Sequence, residues 1–109
     1  MKILIDGLNE FYSENVRLVK TLMKRESPKE YHELLKWAFQ MLYFDGERWV
    51  EICRIDNYLH EGQKGSHIHI YNRDEVKRDE LTFHEAERLI KEISEKILKE
   101  EFKQAVRLE

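Results

Sequence analysis

The dipeptide Asp45-Gly46 stands between two runs rich in β-forming side chains, and it restricts the fold of this chain more than any other feature. Two-residue hairpin turns demand positive-φ conformations, which glycine enters freely and aspartate tolerates, so the pair predicts a β-hairpin. Its second arm, Trp49-Val50-Glu51-Ile52-Cys53-Arg54-Ile55, is dominated by β-branched and aromatic residues. The first arm is ambiguous. Tyr31, Leu34, Leu35, Ala38 and Leu42 keep helical spacing, whereas Leu35, Trp37, Phe39, Met41 and Tyr43 keep the spacing of a strand. The turn decides for the strand. With a two-residue turn, Phe44 opposes Glu47, Phe39 opposes Ile52, Trp37 opposes Arg54 and Leu35 opposes Asp56. That register puts Arg54 and Asp56 on the aromatic face. A third strand is expected at His67-Ile68-His69-Ile70-Tyr71, after a glycine-bearing loop from Asn57 to Ser66.

Upstream, Leu8, Phe11, Tyr12, Val16, Val19, Leu22 and Met23 fall at the spacing of one helical face, with Arg17, Lys20 and Lys24 on the other side. The pattern predicts a helix that stops at Ser27-Pro28. Ser27 with Glu30 then reads as a capping box, with Pro28 at the first helical position, which predicts a second, short helix to about Leu34. Downstream, Thr82 and Glu85 form another capping box. Ala86, Leu89, Ile90, Ile93 and Ile97 follow as an apolar stripe, with Glu87→Lys91, Glu92→Lys96 and Glu95→Lys99 pairs on its wet side. The terminal Leu108-Glu109 carries no weight in the reading.

With a single proline, no repeats and no low-complexity tract, nothing reads as a linker. The expected fold class is therefore α+β, as one domain over 1–109: a helical segment at 1–34, an antiparallel sheet of three or four strands with a central hairpin at 35–72, and a long C-terminal helix at 82–105. No apolar run reaches the ~20 residues of a membrane span, and the opening apolar stretch is too short for a secretory signal, so the expected location is cytoplasmic. The lone cysteine, Cys53, excludes an internal disulfide framework and reads as a core residue.

Nineteen basic and 22 acidic residues give a net charge of −3, which disfavours a protein that coats nucleic acid through its phosphates. A local site remains open, since Arg48, Arg54, Lys64, Arg73, Lys77 and Arg78 face only Glu51, Asp56, Glu61, Asp74 and Glu75 within residues 48–78. That stretch also holds three of the five histidines, His60, His67 and His69. Alternation along a strand turns His67, His69 and Tyr71 to one face and Ile68 and Ile70 to the other. Paired imidazoles near neutral pH can divide general-acid and general-base work, or can hold a metal with His60 or Asp56 as a third ligand. The plainer reading makes Arg54 and Asp56 an exposed ion pair and the histidines solvent-facing strand residues. His32 and His84 read as surface residues, and Trp37 and Trp49 as core rather than a base-stacking platform.

The run from Trp49 through Arg54, Asp56, Asn57 and His60, followed by Gly65-Ser66-His67-Ile68-His69-Ile70-Tyr71, resembles the TumE-like toxins of prokaryotic toxin–antitoxin pairs and their uncharacterised relatives. Those proteins carry an Arg-x-Asp-Asn strand end, a histidine and then His-x-His. The resemblance implies a compact α+β protein that arrests growth through RNA and is restrained by a helix-turn-helix antitoxin. It also implies a functional set of Arg54, Asp56, Asn57, His60, His67 and His69. Cleavage of RNA without a metal needs a base for the 2′-OH, a cation for the phosphorane and an acid for the 5′-oxygen. The candidates are His67 or His69 as base, His60 as acid and Arg54 as cation. Asp56 orients an imidazole or Arg54, and Asn57 and Tyr71 contact substrate. This scheme uses no cofactor. Two alternatives stand beside it: a histidine-based metal-binding domain, and a non-catalytic interaction module or small homodimer.

Overall fold

The computed structural model describes residues 1–59, 62–78 and 80–108, with Lys77 described through its backbone only. Six strands run in chain order, β1 (Lys2–Ser13), β2 (Val16–Lys24), β3 (Leu35–Phe44), β4 (Trp49–Asp56), β5 (Ser66–Ile70) and β6 (Val76–Arg78), followed by one helix, α1 (Phe83–Phe102). Each strand pairs antiparallel with its chain neighbour. The sheet is a meander of five full strands with a three-residue strand on its edge, not the expected three or four, because residues 2–24 join it as a hairpin.

The expected N-terminal helices are absent. Residues 2–24 form the β1–β2 hairpin around Glu14-Asn15, closed by the Ser13↔Val16 pair and by the Asn15 N–H donating to Ser13 Oγ at 3.1 Å. Hairpin bulges explain the misleading period, because three register shifts interrupt β1 and break strict alternation. The apolar residues that mimic one helical face belong to two sheet faces: Leu8 opposes Lys20 on one, Phe11 opposes Arg17 and Asn9 opposes Val19 on the other. Ser27 and Glu30 form only the glutamate half of the expected capping box. The Ser27 N–H donates to Glu30 Oε1 and the Glu30 N–H to the Ser27 carbonyl, each at 3.0 Å. They close a turn between β2 and β3, and no helix follows.

The central hairpin is present with a different register. Its loop is Asp45-Gly46-Glu47-Arg48, in which the Asp45 carboxylate accepts the N–H groups of Glu47 and Arg48 at 2.8 and 3.0 Å and Gly46 adopts φ +103°. Phe44 therefore opposes Trp49, not Glu47. Beyond a bulge at Ile52-Cys53, Gln40 opposes Arg54 and Ala38 opposes Asp56. An odd number of residues separates this pairing from the two-residue-turn register, and an odd shift reverses facing. Arg54 and Asp56 thus lie on the face away from Trp37 and Phe39.

One face of the sheet carries Leu18, Trp37, Phe39, Met41, Cys53, Ile55 and Ile68, packed with Ala86, Ile90, Ile97 and Leu98 of α1. The bulge gives this core two consecutive residues, Ile52 and Cys53, both fully buried. The helix keeps its predicted start. Thr82 and Glu85 form the full capping box, while left-handed Lys103 ends the helix, with the Gln104 N–H bonding the Leu98 carbonyl at 2.9 Å. Leu108 is buried in the same core and belongs to the fold. Lys20, deep on β2, pairs with Glu10 at 2.6 Å and with Glu87 of α1, tying the first hairpin to the helix. Among the described residues no second helix covers the other face, the open face of the sheet.

Candidate functional site

The open face receives its polar residues through strand register. Arg54 on β4 lies directly opposite His69 on β5, and Asp56 opposite His67. Arg54 Nε lies 3.1 Å from Asp56 Oδ2 in an ion pair, while Asp56 Oδ1 accepts the Tyr58 N–H at 3.0 Å. Asp56 is fully buried and the Arg54 side chain is 37% exposed, so the carboxylate anchors a guanidinium whose outer edge meets solvent. This ion pair gives Asp56 an orienting role toward Arg54.

Glu75, in the turn between β5 and β6, bridges the two histidines. Its Oε1 lies 2.8 Å from His67 Nδ1 and its Oε2 lies 3.5 Å from His69 Nε2. His67 is almost wholly buried, whereas the His69 side chain is 34% exposed. One carboxylate therefore holds an interior imidazole and an accessible one, and the accessible one faces the guanidinium. The sequence reading missed Glu75. Its signal was the Asn72-Arg73-Asp74 stretch, a turn short enough to return the chain past His67, with Asn72 at φ +58°.

Four of the six catalytic or binding candidates described here converge: Arg54, Asp56, His67 and His69. Asn57 does not join them. Its Nδ2 donates to the Leu35 carbonyl and its Oδ1 accepts the Trp37 N–H, both at 2.8 Å, so the side chain splices the start of β3 to the end of β4. Tyr71 does not join them either. Beyond the end of β5 its ring packs 4.9 Å from Phe102 of α1, on the helix side. His60 lies outside the described residues. Ile68 and Ile70 share the core side with Cys53 and Ile55, whereas Leu42 and Trp49 pair into the open face beside Arg17 and Phe44. Trp37 is core, 2% exposed, while Trp49 lies on the open face with the Arg17 guanidinium 4.3 Å above its ring and Phe11 edge-on at 6.3 Å.

Next to Arg54, a groove of about 200 Å³ opens on the same face between Val19, Thr21, Ala38, Gln40 and Tyr58. A larger cleft of about 330 Å³ lies near the start of β3, between the 32–35 segment and residues 80–83, with Trp37 and Phe83 among its walls. There the Glu33 carboxyl sits above its ordinary range, through burial and then a hydrogen bond with Glu80. Burial also lowers the His32 imidazole at this cleft. Cys53 behaves as core: burial pushes its thiol up to about 12, far from a thiolate nucleophile at neutral pH. Among the described residues, no group of three or more His, Cys, Asp or Glu side chains is placed to hold a metal ion. No helix among them is long and apolar enough to cross a membrane.

An antiparallel meander with one helix on its apolar side and an arginine, a carboxylate bridge and two imidazoles on its open side defines a small α+β domain with a polar, solvent-accessible site. The chain belongs to the family described as a domain of unknown function, DUF7718, whose model matches residues 12–107. No curated protein and no solved structure matches it significantly. The family description names no activity, and the likeness to TumE-like toxins rests on the motif alone.

Proposed function

We propose that the open face is the active site of a metal-independent ribonuclease, of the kind that toxin–antitoxin pairs employ. The observation that carries this reading is the opposition of Arg54 and His69 across β4 and β5, with Glu75 behind the imidazole and Asp56 behind the guanidinium. His69 takes the proton of the ribose 2′-OH. The 2′-oxygen attacks the phosphorus, Arg54 balances the added negative charge, and the bond to the 5′-oxygen breaks. Glu75 stabilises the imidazolium and fixes its ring through the second contact with His67. His60 is the sequence's candidate for protonating the leaving oxygen, and a helix-turn-helix antitoxin is the partner the motif implies.

The test is cleavage of single-stranded RNA in the presence of a chelator. The wild-type protein is expected to leave a 2′,3′-cyclic phosphate and to spare a substrate with deoxyribose at the scissile position. His69→Ala and Arg54→Ala are each expected to lower kcat/KM by about 10²–10³, the range for losing a general base or a charge-stabilising donor. RNA left intact by the wild-type protein, or cut equally well by H69A, overturns the proposal.

A non-catalytic interaction module is supported by β1, the sheet edge, where Ile3, Leu4, Leu8 and Phe11 are all exposed. That reading expects growth arrest, if any, to survive H69A, so the same variant separates the two.

A further inference from the structure

The groove beside Arg54 has no part in the cleavage scheme, yet its position ties it to that scheme. Thr21 and Ala38 are direct cross-strand partners, as are Val19 and Gln40, and Gln40 is in turn opposite Arg54. Two short side chains at the middle of an otherwise larger-surfaced face leave a depression of about 200 Å³. Sites for drug-sized ligands begin near 300 Å³. This one admits a single planar ring system.

Its chemistry suits a heterocycle with hydrogen-bonding edges. Val19 and Ala38 supply an apolar floor and Tyr58 an aromatic wall, with the Lys36 ammonium 4.5 Å over the Tyr58 ring. Thr21 and Gln40 supply a hydroxyl and a carboxamide. The carboxamide is held in place, because Gln40 Nε2 donates to Glu51 Oε2 at 2.7 Å. Unstacked RNA bases are recognised by this combination of an aromatic surface and fixed polar groups at the base edge. Arg54 is common to the groove and the imidazole cluster. A nucleotide whose phosphate meets Arg54 therefore has its base directed into the groove and its scissile ester toward His69.

We infer that the groove between β2, β3 and Tyr58 is a nucleobase-binding subsite that selects the nucleotide adjoining the cleaved bond. The inference rests on the ribonuclease reading for its role in selection, and on the groove alone for binding. The experiment is an NMR titration of the full-length protein with each of the four nucleoside 3′-monophosphates, with inorganic phosphate as control. At least one mononucleotide is expected to shift the amides of Thr21, Ala38 and Gln40 and to bind more tightly than phosphate. Ala38→Leu, which fills the groove, is expected to weaken that binding by about tenfold or more while phosphate affinity stays unchanged. Should A38L fail to fold by circular dichroism, Gln40→Leu is read in its place with the same expectation. Mononucleotides that bind no better than phosphate, or that bind the groove variant as well as the wild type, overturn the inference. An active nuclease without base selectivity removes the subsite and leaves the ribonuclease. Mononucleotide binding that A38L abolishes in a protein that cuts no RNA does the reverse.

Discussion

Asn57 illustrates how a polar residue in a functional-looking motif is spent on the fold. Its carboxamide satisfies one backbone donor and one backbone acceptor at the start of β3, and the hydroxyl of buried Tyr31 donates to the Asn57 backbone carbonyl. Asn57→Ala leaves the Trp37 N–H and the Leu35 carbonyl without their partner in a buried setting. Each such loss costs about 1–3 kcal/mol, so the variant is expected to lose about 2–6 kcal/mol in urea unfolding and to keep its chemistry if it folds. The sequence could not separate Asn57 from its neighbours because all of them lie in one short motif. Period-two alternation grouped Arg54 with Asp56 and His67 with His69, and left open whether the two pairs share a face. Glu75 escaped because its contact with His67 depends on the path of a turn and not on any repeat.

At the scale of elements, capping chemistry was legible at one end of the chain and misleading at the other. Thr82-Glu85 and Ser27-Glu30 share the glutamate carboxylate's bond to the N–H three residues before it, but only Thr82 returns a side-chain bond, and only that pair is followed by an apolar stripe that reaches the sheet through Ala86, Ile90 and Ile97. A nucleated turn propagates when tertiary packing supports it. Thr82→Ala is accordingly expected to lower global stability by about 1 kcal/mol in chemical denaturation, the usual worth of an N-cap. An unchanged midpoint would mean that packing alone fixes the helix start. The N-terminal hairpin defeated periodicity for a different reason: bulges in β1 let its apolar side chains alternate irregularly, so that a strand with residues on both faces imitates one helical stripe. The Asp45-Gly46 signal found the hairpin. The bulge at Ile52-Cys53, which no residue pattern announces, set which side Arg54 faces.

For the molecule as a whole, a radius of gyration of 14.3 Å exceeds the roughly 13 Å typical of this length, as a long first hairpin reaching past the single helix requires. The two ends of the β2–β3 and β6–α1 connections meet at the cleft where Glu33 and Glu80 share a hydrogen bond. A carboxyl whose folded pKa is raised contributes stability that is fully present below its unfolded value and is lost as pH climbs through the folded one. Glu33→Gln, which resembles the protonated acid, is therefore expected to have a higher Tm than wild type near pH 7, with the difference closing toward about pH 4. Matched or lower Tm for E33Q at neutral pH would refute that linkage. The placement of α1 after every strand has a consequence during synthesis. A nascent chain exposes the aliphatic and aromatic side of the whole meander before the segment that shields it has left the ribosome. A stalled or truncated translation product lacking that segment is a natural client for chaperones and proteases, and a chain cut just before Phe83 is a sticky sheet instead of a smaller version of the protein.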